Sequence, residues 1–229
     1  MLASKSYITK KLFYHFLIIY KLSLKIGQAR PIFYKEIMTT LVVASNNKGK
    51  LKEIKAILGG VYNVVAMAEL GYTNDIEEDG ATFYENALIK AKAVSLALGV
   101  DALADDSGLC VTALNGAPGV YSARYAGAHG NDKENNALLL KNLENKTDRS
   151  AKFVSSVVLY TVNGEIFEGY GETHGTILFN EDGENGFGYD PLFHSNDLNK
   201  SFGIASAEEK NAVSHRYRAL CNLAEKLGK

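Results

Sequence analysis

From residue 40 onward, apolar runs of strand length alternate with segments of helical period, punctuated by glycines, and this alternation leaves few folds open. The run 40–45 reads as a buried strand. It ends in Ser45-Asn46-Asn47, which suits a turn and a helix N-cap. Leu51, Ile54 and Leu58 mark a helix stopped by Gly59-Gly60. A short strand is expected around 62–67. The stretch 81–98 reads as a helix, with Phe83, Ala87, Ala91, Val94 and Leu98 on one face and Gly99 after it. A strand at 100–104 runs into Asp105-Asp106-Ser107-Gly108, and a second apolar piece, 109–114, ends in Asn115-Gly116. Residues 131–143 look helical.

Two long alternating strands follow, about 151–162 and 165–179. Asn163-Gly164 between them signals a two-residue hairpin turn. A glycine-rich loop from Gly183 to Asp190 leads to Pro191-Leu192-Phe193. Ser206-Ala207-Glu208-Glu209 forms a capping box, and a last helix follows Ser214, using Leu220, Leu223 and Leu227. Helices mixed with a long hairpin predict an α/β domain over 39–229: a mixed, twisted sheet flanked by helices. Two lobes around a central cleft fit the pattern.

Composition narrows the functional classes. Hydrophobic residues make up 46% and charged residues 22%, so the chain has the makings of a core. Lys and Arg number 25 against 26 Asp and Glu, which argues against a general nucleic-acid binder. Cys110 and Cys221 are too few for a disulfide scaffold and lack metal-knuckle spacing. No uncharged apolar run reaches the ~18 residues that span a bilayer.

The balance hides an asymmetry. Residues 1–38 carry seven basic residues and one acid, Glu36, a charge of +6; the remainder carries 18 basic against 25 acidic residues, −7. Leu12–Tyr20 is apolar and aromatic, flanked by lysines. Three readings stand for this segment: a secretory signal, a basic membrane-surface helix, or an extension preceding Met38 as the working start. None gives it a catalytic role.

Five clusters have the residue types for chemistry, each with a plain structural alternative. Ser45, Asn46, Asn47, Lys48, Gly49 and Lys50 join a strand to a helix; backbone N–H groups there bind anions and the lysines add charge. No Walker A loop is present, since Leu51 follows Lys50. A solvated, capped turn is the alternative. Glu77-Glu78-Asp79 precede a helix, and Glu78, Thr82, Asn86 and Lys90 step by four, so an early helix start puts them on one polar stripe. Carboxylates suit Mg²⁺; acids favoured at a helix N-terminus are the alternative.

Asp105 and Asp106 follow an apolar strand, at the edge where α/β sheets place ligands. Adjacent strand residues point to opposite faces, so the two acids do different work; a simple Asp-Ser-Gly turn is the alternative. Phe187, Gly188, Tyr189 and Asp190 combine close backbone approach with aromatic surface for a base, or form an aromatic-anchored turn. Lys210, His215 and Arg216 surround a helix start where the dipole disfavours cations, a conflict expected at functional positions. Arg216 continues the stripe 216, 220, 223, 227 and so points inward. It reads either as a phosphate or purine-carbonyl contact or as half of a buried ion pair. Together the clusters suit a metal-dependent site for a phosphorylated aromatic ligand, with water as nucleophile: no Cys–His pair or Gly-x-Ser-x-Gly elbow is present.

Several of these segments together resemble the inosine triphosphatase (Ham1-like) family of pyrophosphatases for deaminated purine nucleotides. They are Ser45–Lys50, Thr82-Phe83-Tyr84-Glu85-Asn86-Ala87, Ala104–Leu109, Gly116-Ala117-Pro118-Gly119-Val120-Tyr121-Ser122-Ala123-Arg124-Tyr125, Phe187–Pro191 and Ser214-His215-Arg216. The match runs in order from about residue 40 to the C-terminus. The resemblance implies hydrolysis of dITP, ITP and XTP to monophosphate and pyrophosphate by a Mg²⁺-dependent, cytoplasmic homodimer. It implies Asp106 as the water-activating residue and a metal ligand. Glu78, or its neighbour Glu77, is implied as the second metal carboxylate. Residues 45–50 and Lys90 are implied on the triphosphate, and Ser107, Phe187 to Asp190, Lys210, His215 and Arg216 on the nucleotide. Asn46 stands where relatives often carry Gly, a change that the left-handed tolerance of Asn can absorb. A pyrophosphatase for modified pyrimidine nucleotides and a non-catalytic nucleotide sensor are the alternatives.

Overall fold

The computed structural model describes residues 39–60, 62–127 and 130–227; the readings of residues 1–38 lie outside them. Seven strands form one mixed sheet in the order β2-β1-β3-β4-β5-β6-β7. They are β1 (Thr39–Val43), β2 (Tyr62–Ala66), β3 (Ala102–Val111), β4 (Ser150–Tyr160), β5 (Ile166–Ile177), β6 (Phe193–Ser195) and β7 (Lys200–Ser201). β1 runs parallel to β2 and β3, and the remaining pairs are antiparallel. Among the described residues, five helices flank the sheet: α1 (Lys48–Leu58), α2 (Phe83–Leu98), α3 (Asp132–Asn142), α4 (Ala207–Val213) and α5 (His215–Leu227).

The apolar run of β1 is buried on both faces, with period two. Leu41 and Val43 enter a cluster with Ile54, Ile57 and Leu58 of α1 and Leu220 and Leu223 of α5. Val42 and the adjoining Ala44 enter a second, with Ala87, Ala91 and Val94 of α2. A third cluster joins Leu109 and Val111 to Leu139 of α3, Phe153, Phe193 and Phe202. The first two clusters build one lobe and the third builds the other.

β3 corrects the expected break at Asp105-Asp106-Ser107-Gly108. The turn-prone tetrapeptide stays extended because β4 pairs it residue for residue, Asp105 with Val157 through Gly108 with Val154. The ladder overrides local propensity. β1 pairs only Val42 and Val43 with Ala102 and Leu103. Beyond Leu103 that flank of β3 lies past the end of β1, so the two aspartates still sit at a carboxyl edge, that of β1. Residues 112–114 form a 3-10 turn rather than strand, closed by Asn115 in the left-handed region.

The hairpin is also one residue longer than expected. The amide of Gly164 donates to Thr161 C=O at 2.9 Å and Thr161 N–H to Glu165 C=O at 3.0 Å. Only Gly164, at φ 81°, takes the left-handed conformation in this turn. The loop is therefore Val162-Asn163-Gly164 with glycine last, the three-residue hairpin form. α2 begins at Phe83, with Thr82 capping it and Glu85 closing the box, so Glu78 lies in the preceding loop and not on the helix. Asn46 is absent from the left-handed residues, so the left-handed tolerance of Asn is not called on there.

The seat of α5 sets how deep His215 and Arg216 lie. Gly169 and Gly171 project from one face of β5 directly under the helix. A Cβ at Gly171 would collide with the carbonyl of His215 and the amide of Ala219. Helix backbone thus rests on strand backbone, and His215 and Arg216 are carried down into the protein.

Candidate active site

A cavity of about 680 Å³ opens between the lobes, lined from both sides. One wall is the β1–α1 turn, where Ser45, Asn46, Asn47 and Lys50 line the cavity. Asn47 is the N-cap of α1, accepting the Lys50 amide at 3.1 Å. α1 carries no acid in its first turn, so its dipole is left to an outside anion. Lys48 is exposed, and neither it nor Gly49 is among the lining residues. Gly49 has a packing job: a Cβ there would stand 2.6 Å from the Phe187 ring. That ring lies beside Lys210 Nζ at 4.7 Å and the Arg216 guanidinium carbon at 5.9 Å.

Asp106 and Asp105 point to opposite faces of β3, as strand geometry requires. Asp106 lines the cavity. Lys90 Nζ reaches its Oδ1 at 3.2 Å and Glu78 Oε2 at 2.6 Å. Asn86, one turn earlier on α2, donates to Asp106 Oδ2 at 3.3 Å. Burial alone would lower the Lys90 ammonium's pKa, but Asp106 and Glu78 hold it above the ordinary lysine value. Glu78 faces the cavity while Glu77 is exposed and outside the lining, which separates the two neighbours.

Asp105 has no exposed side-chain surface. Its Oδ2 receives Lys50 Nζ at 3.0 Å and Arg216 Nη2 at 3.1 Å. Burial opposes its ionisation, yet Arg216, Lys50 and the Ser155 hydroxyl hold the carboxyl well below the usual range. Arg216 is fully buried and also pairs with Glu53 of α1. Glu53 Oε1 in turn accepts from Lys210 Nζ at 2.7 Å, and Lys210 bonds Asp190. The ion-pair reading of Arg216 is therefore what the geometry shows, and Arg216 lines the cavity as well.

Nine side chains thus run in alternating charge along and beneath the cavity floor: Asp190, Lys210, Glu53, Arg216, Asp105, Lys50, Asp106, Lys90 and Glu78, of which Glu53 and Asp105 lie behind the lining, with Lys50 bridging the aspartates at 3.0 and 3.9 Å. Composition and motif spacing did not disclose Glu53. Its one signal is an acid at i+3 from Lys50 and four before Ile57, interrupting a buried stripe.

At the other end, the predicted aromatic loop divides its labour. Tyr189 is buried in the third cluster, its hydroxyl donating to Ser122 C=O at 2.9 Å, so it anchors the loop. Phe187 is the half-buried ring. Gly188 N–H donates to Asp132 at the start of α3 at 2.7 Å, a support that the sequence did not reveal. His215 stacks on Phe153, ring centroids 4.9 Å apart; burial and the adjacent Arg216 push its pKa well below normal, so the imidazole is neutral. Its Nδ1 is buried with no hydrogen-bond partner among the described residues. Ser107 lines the cavity and accepts from Arg216 Nη2 at 2.9 Å. Arg124 stands on the opposite wall over the ring of exposed Tyr121, at 5.1 Å.

No group of three or more His, Cys, Asp or Glu converges among the described residues. Two carboxylates suffice for an ion that keeps most of its water, as Mg²⁺ does. Glu78 and Asp106 already converge on one cation, the Lys90 ammonium, and offer hard oxygen donors, so the residues fit such an ion.

Fold and site define a class: a mixed-sheet α/β protein whose interlobe cleft pairs a helix N-terminus and lysines with inward carboxylates. Within it, the chain belongs to the Ham1 family, whose profile matches residues 41–226. A Geobacter sulfurreducens protein named dITP/XTP pyrophosphatase is 48% identical over 194 residues, covering 83% of this chain and 98% of its own. A Clostridium perfringens protein of the same name is 47% identical over 199 residues, covering 83% and 98%. Among solved structures, the Staphylococcus aureus Ham1 protein matches with TM-score 0.74 at 44% identity, covering 82% of this chain and 98% of its own. A Coxiella burnetii HAM1 protein matches with TM-score 0.74 at 40% identity, covering 83% and 98%.

Proposed function

We propose that this chain is a nucleoside-triphosphate pyrophosphohydrolase that cleaves deaminated purine nucleotides (dITP, ITP and XTP) to the monophosphate and pyrophosphate, clearing them from the nucleotide pool. The observation that carries the reading is that Lys50, Asp106 and Arg216, from three separate segments, line one cavity. The names of the relatives support the substrate class.

Phosphoryl chemistry asks for charge neutralisation and positioning more than covalent help. Lys50 and the open N-terminus of α1, with Ser45, Asn46 and Asn47, bind the phosphates. Lys48 adds long-range charge and Gly49 keeps the turn close to Phe187. Lys90 leaves the Glu78–Asp106 pair and turns to the phosphates. Glu78 and Asp106 would hold Mg²⁺, which when bound supplies Lewis-acid neutralisation of phosphate charge. Asp106 takes the proton of the attacking water. Phe187 packs against the base, on a loop that Gly188, Tyr189 and Asp190 hold in place, and Ser107, Lys210, His215 and Arg216 hold the nucleotide. A donor facing the 6-oxo group rejects adenine, whose 6-amino group leaves that donor unpaired.

The same reading carries a cytoplasmic homodimer and residues 1–38 without a catalytic role. No helix among the described residues is long and apolar enough to cross a membrane.

The test is a panel of ITP, XTP, dTTP and ATP with and without Mg²⁺, scoring pyrophosphate. ITP and XTP should yield pyrophosphate only with the metal. Equal turnover of all four, or none, rejects the reading; preference for dTTP would point to the pyrimidine branch.

A further inference from the structure

We infer that Asp105 is a positioning residue that ties the phosphate side of the cleft to the base side, so that turnover depends on both ends of the nucleotide being seated together. The inference rests on the pyrophosphohydrolase activity proposed for this cleft and deepens it.

Asp105 cannot touch substrate, because its side chain has no exposed surface, whereas the adjacent Asp106 lines the cavity. What it touches is machinery from both ends. A single oxygen, Oδ2, receives Lys50 at 3.0 Å, Arg216 at 3.1 Å and the Ser107 hydroxyl at 3.0 Å. The other oxygen, Oδ1, accepts the Ser155 hydroxyl at 2.6 Å. Lys50 comes from α1, Arg216 from α5 and Ser155 from β4, so three elements meet on one carboxylate of β3. All three groups on Oδ2 line the cavity; Ser155, fully buried, does not.

A buried carboxylate is costly unless fully paired. An apolar side chain of similar volume often replaces a buried ion pair without loss of stability, so a network this saturated is suited to holding geometry. Two cations that share one oxygen cannot move independently. If Arg216 shifts to meet a base, the oxygen and the Lys50 ammonium shift with it. Without the charge at residue 105, Lys50 is free to close on Asp106, now 3.9 Å away, and Arg216 keeps Glu53 and the Ser107 hydroxyl but no longer shares an anion with Lys50. Each end then keeps contacts of its own, and the common reference is lost.

The test compares kcat and KM for ITP and ATP, with Mg²⁺, in the full chain, Asp105→Asn and Ser155→Ala. The first variant removes the charge; the second removes only the hydrogen bond that orients it. Asp105→Asn should lower the ITP-to-ATP ratio of kcat at least about fivefold, the lower bound of ordinary intersite coupling. Ser155→Ala should move the ratio the same way by less. A merely structural role would lower both substrates by one factor, leaving the ratio fixed, and that result overturns the inference. If Asp105→Asn does not fold, the Ser155→Ala ratio decides alone: unchanged, it overturns the proposal. A wild-type chain that releases no pyrophosphate from ITP defeats the proposed activity and this inference together, whereas an active wild type with unchanged ratios defeats only the latter.

Discussion

Replacing Glu53 by Gln keeps the shape of the side chain and removes the charge between Lys210 and Arg216. The size of the effect comes from the structure. Burial alone would raise the Glu53 pKa, but Arg216 and Lys210 bring it from 4.5 down to about 2. At ~1.4 kcal/mol per pKa unit, that corresponds to about 3 kcal/mol of stability. Removing one partner of a buried ion pair costs about 3–5 kcal/mol. Lys210 retains Asp190 and Arg216 retains Asp105, which places Glu53→Gln at the lower end. Both routes give about 3 kcal/mol, a fall in Tm of ~6–12 °C for a domain of this size. The sign with pH is fixed. A carboxyl with a depressed folded-state pKa stabilises above its unfolded value, and that contribution fades as pH falls from about 4.5 toward about 2. Unfolding by urea at pH 7 and pH 3 should therefore show a wide gap between wild type and variant that narrows in acid, because Glu53 of the unfolded chain is protonated by pH 3 while the folded chain still holds it ionised. A gap below about 1 kcal/mol at pH 7, or one that stays constant in acid, refutes the reasoning.

Two further outcomes are expected. Asp106→Asn should lose at least ~10²-fold in kcat while nucleotide binding, followed by calorimetry, survives; unchanged turnover removes Asp106 from its role. A chain beginning at Met38 should unfold at the same temperature and hydrolyse ITP at the same rate as the full chain; lost activity or aggregation would show that residues 1–38 contribute to the folded enzyme.

The elements that sequence read well were those whose local signals agreed with their surroundings. Asn47 and Ser206 cap helices where short polar side chains precede helical periodicity. The inward aim of Arg216 followed from its place on the stripe of Leu220, Leu223 and Leu227. Reading failed where long-range pairing decided. Asp105-Asp106-Ser107-Gly108 has every local reason to turn, and β4 keeps it extended. β6 and β7, three and two residues long, are too short to carry a period and exist only as partners of β5 and of each other. In the site, motif spacing brought out Lys50, Asp106 and Arg216, but not that Glu53 and Asp105 hold them, since a buried acid and a solvated one look alike until their neighbours are known. The separation of Glu78 from Glu77 likewise depended on which way a loop turned.

The alternating charges on the cavity floor have one more consequence. Cations already neutralised by neighbours project little field into solvent, so the paired residues draw polyphosphates from a distance less than an unopposed basic groove does, and that part is left to exposed Lys48. An arriving triphosphate has to break internal pairings before it can form its own contacts. Small free anions, able to replace only one pairing at a time, make poor competitors for a ligand long enough to replace several at once.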